Sequence, residues 1–202
     1  MIRAFITSRR KSLLYSFSIF QNSSRDYSSD KHYDIIIVGG GLIGTTLACA
    51  LGKNNRLSDK RILLLEAGKK RDWRISEEYS NVVTALNPAT FNLFNEIGVW
   101  KHIESKRFAT VTGMQVWEAN SEVMIKFQSD NHQDNIGYIV ENNVILNGIW
   151  EEVQKLGNVE VVHEALINNY KLRDKHETNE LNMKNGSVYT GELLCPDWIS
   201  IK

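Results

Sequence analysis

Four glycines and one acid carry the clearest chemistry in this chain. The run Gly39-Gly40-Gly41-Leu42-Ile43-Gly44 satisfies GxGxxG, a spacing that suits an adenine dinucleotide when it follows a strand and opens a helix. In that setting Gly39 permits a tight turn, Gly41 lets a pyrophosphate approach the backbone, and Gly44 lets the helix sit close to the strand. The helix start then offers free N–H groups and the positive end of its dipole to phosphate. Glu66, followed by Ala67, lies about 20 residues beyond the glycines, where a carboxylate accepts hydrogen bonds from ribose hydroxyls. The same carboxylate repels a 2′-phosphate, which disfavours NADP and leaves FAD and NAD both open. These six loop residues with Glu66 and Ala67 are the first candidate cofactor site.

Other chemistries find little support. The two cysteines, Cys49 and Cys195, are far apart, so neither a disulfide framework nor a CxxC site is available. Cys49 lies among Leu47, Ala48, Ala50 and Leu51 and reads as a small buried apolar residue rather than a redox nucleophile. His32, His102, His132, His163 and His176 are scattered, whereas zinc ligands come at short paired spacings. No metal site is expected. Lys and Arg number 24, as do Asp and Glu, so net charge gives no case for nucleic acid as a partner.

The elements that must position the loop follow from local pattern. Ile35, Ile36, Ile37 and Val38 are β-branched and predict a strand over 34–38. A helix is predicted over 43–51, ended by Gly52, then a polar loop over 53–59 and a second buried strand over 61–65. Two such strands around one helix imply parallel pairing through a right-handed crossover. The glycines at the centre of 35–51 argue against a membrane span. Residues 1–30 differ from the rest. Arg3, Arg9, Arg10, Lys11 and Arg25 are interleaved with serines, and no acid precedes Asp26. Leu13, Leu14, Phe17 and Phe20 can share one helical face, which is the make-up of a mitochondrial transit peptide, and Arg25-Asp26-Tyr27-Ser28 resembles a matrix-protease cleavage step.

Downstream, Asn87 can cap a helix with Pro88 in its first turn, Phe91, Phe94 and Ile97 facing one core, and Gly98 ending it. Strands over 114–117 and 123–127, around Ala119, Asn120 and Ser121, form a β-rich insertion. A helix opens at Asn142 or Asn143, with Ile145, Ile149, Val153 and Leu156 as its apolar stripe and Gly157 as its stop. A buried strand spans 159–162. Alternating segments over 165–172 and 181–190 follow, the latter broken by Asn185-Gly186, a strong hairpin signal.

The run Tyr33-Asp34-Ile35-Ile36-Ile37-Val38 with its glycines, the later Met114-Gln115-Val116-Trp117, and Gly137-Tyr138-Ile139-Val140-Glu141-Asn142 together resemble the FAD-dependent monooxygenases of ubiquinone biosynthesis, over about residues 33–194. The resemblance implies an α/β, Rossmann-like FAD-binding β-α-β domain with a β-rich insertion, incomplete relative to the family. It assigns FAD rather than NAD to Gly39, Gly41, Gly44 and Glu66. It implies ring hydroxylation of a polyprenylated phenolic precursor by O₂ through a flavin C4a-hydroperoxide, with no catalytic acid or base from this chain. It also implies electron supply by ferredoxin and ferredoxin reductase, association with other coenzyme Q biosynthesis proteins, and peripheral attachment on the matrix side of the mitochondrial inner membrane. Glu141 and Asn142 are further candidates for flavin contact, with a helix cap as the ordinary alternative for Asn142. Trp117 and Tyr138 read as packing residues.

Two departures stand out. Where the family carries an arginine near the flavin, this chain has Val82, and Arg74 is the nearby cation that could substitute. After Gly191-Glu192-Leu193-Leu194 the family continues into an Asp-Gly motif, whereas Cys195 to Lys202 reads as a divergent tail. The organisation expected is a leader over 1–30, the N-terminal part of a monooxygenase domain over 31–194, and a tail over 195–202. The strand completing the parallel sheet is expected to be missing, leaving apolar surface exposed. A non-catalytic interaction fragment and an NAD-binding dehydrogenase are the competing readings.

Overall fold

The computed structural model describes residues 31–70, 75–119, 123–128, 135–172 and 178–196. Its contacts separate Met1–His32 from Tyr33–Lys202. The expected leader with its cleavage step, Arg74, and the tail beyond Pro196 lie outside the described residues.

Strand β1 (His32–Val38) and strand β2 (Ile62–Leu65) pair in parallel, with Ile35 opposite Ile62 and Val38 opposite Leu65. Helix α1 (Leu42–Gly52) joins them, as the apolar runs on either side of the glycines predict. All four β2 side chains are fully buried, each contributing roughly 2 kcal/mol relative to exposure. Successive side chains of a strand point to opposite faces, so Ile35 and Ile37 enter one cluster and Ile36 the other. Gly52 does not end α1 by a left-handed turn. It lies in the last turn, where a Cβ would come within 2.6 Å of Val159 Cγ2 and 2.7 Å of Leu156 Cδ1, so it serves close packing. The loop after it holds a short 3₁₀ turn, Asn55–Leu57, capped by the Asn54 side chain.

The main sheet has the order β8-β2-β1-β11-β10-β9. Strand β8 (Val159–Val162) is parallel to β2 and half-buried, because it forms the sheet edge. Strands β9 (Ile167–Lys171), β10 (Asn179–Met183) and β11 (Val188–Pro196) form an antiparallel meander. The turn between the last two is built at Asn185-Gly186, with Gly186 at φ 84° and Asn185 Oδ1 accepting from the Ser187 N–H at 3.0 Å. Strand β11 lies next to β1 in this sheet. Leu194 packs in the cluster on one side of the sheet, Cys195 in that on the other, so the strand runs on past residue 194 as a two-faced layer.

A second sheet has the order β3-β7-β4, made of β3 (Val83–Leu86), β7 (Gly137–Glu141) and β4 (Ala109–Val111). Between β3 and β4 lie α2 (Pro88–Glu96) and α3 (Trp100–Glu104). Asn87 caps α2 through its side chain, accepting from the Thr90 N–H at 2.8 Å, and Gly98 follows at φ 73°. Tyr138 stacks on Phe91 at 5.0 Å and meets Trp100 edge-on at 4.9 Å, so its packing role holds. Trp117 does not pack: in the antiparallel ribbon of β5 (Gly113–Trp117) and β6 (Met124–Gln128) every described side chain is exposed, Trp117 by 67%. No third layer covers this ribbon among the described residues.

Helix α4 (Asn142–Val153) follows β7 without a loop. Its N-cap is Glu141, with no side-chain capping bond, so Asn142 is the first helical residue rather than the cap. Ile145, Ile149 and Val153 are buried against α1 and the sheet, as their spacing predicts. Among the described residues no helix is long and apolar enough to cross a membrane.

Candidate dinucleotide site

The glycine loop leaves the carboxyl end of β1 and enters α1, the place where open α/β sheets bind ligands. Gly39 sits at φ 100°, a left-handed conformation that favours glycine, and its N–H donates to Leu65 O at 2.8 Å. A Cβ on Gly44 would stand 2.0 Å from Gly39 O, so the helix is seated against the turn as closely as its backbone allows. Above Gly41 the space is open, with nothing within 4 Å of a Cβ there. The buried Thr45 hydroxyl closes the loop from below, donating to Gly41 O at 2.7 Å and Gly40 O at 2.9 Å. No side chain caps the start of α1 and no acid lies in its first turn. A helix start of this kind has the amide donors and dipole that suit an anion.

Glu66 ends β2 and turns back over the loop. One oxygen accepts from the Gly40 N–H and the other from the Gly68 N–H, each at 2.6 Å. Each carboxylate oxygen keeps a lone pair for a hydroxyl donor. Ala67 is exposed beside it, as is Ile43 in the first turn of α1, while Leu42 is half-buried against the core. A cavity of about 160 Å³ joins Gly40, Gly41 and Glu66 to Lys69, Trp150 and His163. Sequence reasoning missed the last three, which lie on three different segments. Cys49 is fully buried, and burial pushes its thiol up to about 11, so it stays protonated and inert near neutral pH.

Glu141 and Asn142 do not line that cavity. They border a second one, of about 220 Å³, or brace its walls. Arg107 Nε and Nη2 donate to the two Glu141 oxygens at 2.5 and 3.1 Å, and the Ser80 N–H adds a third bond at 2.8 Å. The Arg107 guanidinium, with Ser80's amide next, holds the Glu141 carboxyl below the usual carboxylate range. Arg107 also donates to Glu78 O at 2.9 Å and Glu77 O at 3.2 Å, and lies 4.5 Å over the Tyr79 ring. Asn142 Oδ1 accepts from Thr84 Oγ1 at 2.5 Å, and its N–H donates to Val82 O at 3.1 Å. The segment 75–82 that carries Val82 therefore does receive a cation, Arg107, from a part of the chain the sequence did not single out. Among the described residues no group of His, Cys, Asp and Glu is arranged to hold a metal ion.

Comparison with known proteins supplies the context. A scan against protein-family models finds none that matches. Curated relatives are described as "Ubiquinone biosynthesis monooxygenase COQ6, mitochondrial". The Drosophila melanogaster protein is 41% identical over 86% of this chain and 37% of its own length. The human protein is 37% identical over 83% of this chain and 37% of its own length. The chain thus spans little more than a third of these relatives. Among solved structures, p-nitrophenol 4-monooxygenase PnpA from Pseudomonas putida DLL-E4 superposes with a TM-score of 0.60 at 22% identity, covering 82% of this chain and 41% of that one. A probable FAD-dependent monooxygenase, pqsL from Pseudomonas aeruginosa, does so with a TM-score of 0.57 at 18% identity, over 82% and 40%. At those identities the likeness is one of fold.

Proposed function

Over the part of their length that it spans, the chain belongs with the ubiquinone biosynthesis monooxygenases, and we propose that it is the portion of an FAD-dependent aromatic-ring monooxygenase that holds the ADP half of the cofactor. One observation carries this reading: an open, uncapped helix start at Gly41 lies next to a carboxylate fixed by the Gly40 and Gly68 amides. Those residues fit a diphosphate followed by a ribose. The amides of α1 would hold the diphosphate, Glu66 would take the ribose hydroxyls, and its charge would reject a 2′-phosphate.

When bound, reduced flavin supplies the activation of O₂ for insertion into an electron-rich ring. This chain contributes binding and orientation. Glu141 and Asn142 act toward the flavin end indirectly, by fixing residues 80–84 to the start of α4. We further propose a polyprenylated phenol as substrate, ferredoxin and ferredoxin reductase as the electron source, and other coenzyme Q biosynthesis proteins as neighbours. The location we propose is the matrix side of the mitochondrial inner membrane, reached through a leader over 1–30.

The test is cofactor choice. The purified chain, incubated with FAD and with NAD and then desalted, is expected to retain FAD and its visible absorbance. Retention of NAD with no uptake of FAD would overturn the reading in favour of a dehydrogenase.

A further inference from the structure

The chain contains two Asn-Gly steps, Asn147-Gly148 and Asn185-Gly186, and the fold places them in opposite settings. In this dipeptide the asparagine amide carbon is open to attack by the next backbone nitrogen, because glycine has no Cβ to obstruct the approach. Asn147-Gly148 lies inside α4. Gly148 is buried, and a Cβ on it would stand 3.1 Å from His102 Cβ and 3.4 Å from Val99 O. A helical amide is also bonded to the carbonyl four residues back, so the Gly148 nitrogen is both covered and engaged.

Asn185-Gly186 forms the tip of the hairpin between β10 and β11, and both residues are exposed. A Cβ on Gly186 would meet nothing within 4 Å, so a side chain can come up to its backbone from the solvent side. The Gly186 N–H makes one turn bond, to Met183 O at 3.0 Å, at a loop tip where local opening costs least. Asn185 Oδ1 accepts from the Ser187 N–H at 3.0 Å. That donor draws charge from Asn185 Cγ and favours a negative oxygen there, as backbone N–H groups do for the tetrahedral intermediate of acyl transfer.

We infer that Asn185 is a self-modification site, cyclising onto the Gly186 nitrogen in the folded chain, while the same dipeptide at Asn147 is protected. The Gly186 nitrogen forms a bond to Asn185 Cγ, the Cγ–Nδ2 bond breaks, and in net the glycine proton leaves with the departing amine as ammonia. Water then opens the succinimide at either carbonyl, giving aspartate or isoaspartate, and nothing is oxidised or reduced. Either product puts a carboxylate where a neutral amide stood, and isoaspartate adds a methylene to the main chain. That methylene falls between two strands in fixed register, with Asn182 opposite Val188 and Asn179 opposite Gly191. Gly191 in turn is seated against β1, where a Cβ on it would come 2.8 Å from Ile36 Cδ1 and 3.2 Å from Tyr33 O. Isoaspartate at position 185 therefore loosens the hairpin that backs onto the strand leading to the glycine loop.

The test incubates the full chain, folded and without ligand, at mildly alkaline pH. Peptide mass spectrometry follows amide-to-acid conversion at each Asn-Gly step, and isoaspartyl methyltransferase reports isoaspartate. The folded chain is expected to convert Asn185, faster as hydroxide rises, and to convert Asn147 at least about tenfold more slowly, since a packed helix opens less readily than a surface turn. In urea both steps are expected to convert at similar rates, because their chemistry is the same once the fold is gone. Asn185→Gln, whose longer side chain would have to close a larger ring, is expected to form no isoaspartate at that position. Aged wild type is expected to melt below fresh Asn185→Asp, which has the product's charge without the extra methylene. Conversion of Asn147 as fast as Asn185 in the folded chain would overturn the inference, as would a folded Asn185 that stays intact while the urea-treated one converts. Equal melting of aged wild type and Asn185→Asp would overturn the loosening of the hairpin.

Discussion

Gly40 and Glu66 stand 26 residues apart and are joined by one hydrogen bond of 2.6 Å. That bond ties the glycine loop to the end of β2, the two segments proposed to hold the diphosphate and the ribose. The Gly68 N–H holds the other carboxylate oxygen, which fixes the plane of the group. A glutamine has one acceptor oxygen and would turn an amide N–H₂ toward one of these backbone donors. Glu66→Gln is therefore expected to weaken FAD binding by about 10-fold to 100-fold, the range for a hydrogen bond to a charged group. Titration followed by flavin fluorescence measures it, and unchanged affinity would remove Glu66 from the site.

Gly44 tests the seat of the helix rather than the cofactor. An added Cβ would lie 2.0 Å from a backbone oxygen of Gly39, and neither atom belongs to a side chain that can rotate away. Gly44→Ala is expected to lower stability by about 2 kcal/mol, in the usual range for overpacking. Urea unfolding in the absence of ligand measures this. A wild-type midpoint would mean that the loop and α1 are not packed as described.

Glu152 is a buried carboxylate on α4 whose partners come from three directions. Lys53 pairs with it from the end of α1, His102 at 2.7 Å and Lys101 at 3.3 Å from α3, and Lys155 at 2.7 Å from the next turn. Burial pushes its carboxyl up, but bonds from Lys155, Lys53, His102 and Lys101 outweigh that and hold it well below the usual value of 4.5. Removing one member of a buried pair costs 3–5 kcal/mol, and partners that are partly exposed lower the figure. Glu152→Gln is thus expected to cost about 2 kcal/mol at pH 7. Because the folded carboxyl titrates below the unfolded one, its contribution is complete above 4.5 and is lost as pH falls through the folded value. The unfolding midpoints of the two proteins should therefore draw together progressively as pH falls below 4.5 toward the folded value. Parallel curves would contradict the clamp.

Arg107 and Glu141 together hold residues 77–80 through a bidentate pair, two carbonyls and one amide. Arg107→Lys keeps the charge but not the planar fork, so it is expected to release the segment nearly as much as Arg107→Met does. Hydrogen exchange at the Ser80 amide reports it directly: faster in both variants. In wild type the carboxyl is held below 4.5, so protection persists above that pH and fades below it. Equal protection in wild type and variants would leave the segment anchored by something else.

Much of the fold can be read from local pattern. The β-branched run Ile35-Ile36-Ile37-Val38, the apolar β2 residues and the Asn185-Gly186 turn each specify their own geometry and are found as such. The short strands β3 and β4 are set by pairing with β7, and three or four residues carry too little periodicity to announce that. Trp117 looked like core because tryptophan usually is, but the ribbon carrying it has no packing layer among the described residues. Glu152 gave no signal at all. A glutamate on a helix reads as a solvated face until Lys53, His102 and Lys101 are brought round it by the fold.

The candidate site divides along the same line. Gly39, Gly41, Gly44 and Glu66 have spacing that follows from one β-α-β unit, so sequence alone brings them together. Trp150 and His163 reach the same cavity from α4 and from the end of β8, a meeting that depends on α4 packing against α1 and on β8 pairing with β2. Neither contact has a fixed spacing in the chain. Val82 suggested a missing cation, and the tertiary fold supplies Arg107 to that segment from 25 residues further along.

If a dinucleotide diphosphate lies in the space above Gly41, a side chain placed there must exclude it. Gly41→Val tests it most directly, because the open space around a Cβ there lets the side chain be added without displacing any neighbour. Equilibrium dialysis of FAD against wild type and Gly41→Val, paired with ligand-free melting, is the measurement. The expected result is one FAD per wild-type chain, none on the variant, and melting temperatures that agree. FAD retained by Gly41→Val at wild-type affinity would contradict it.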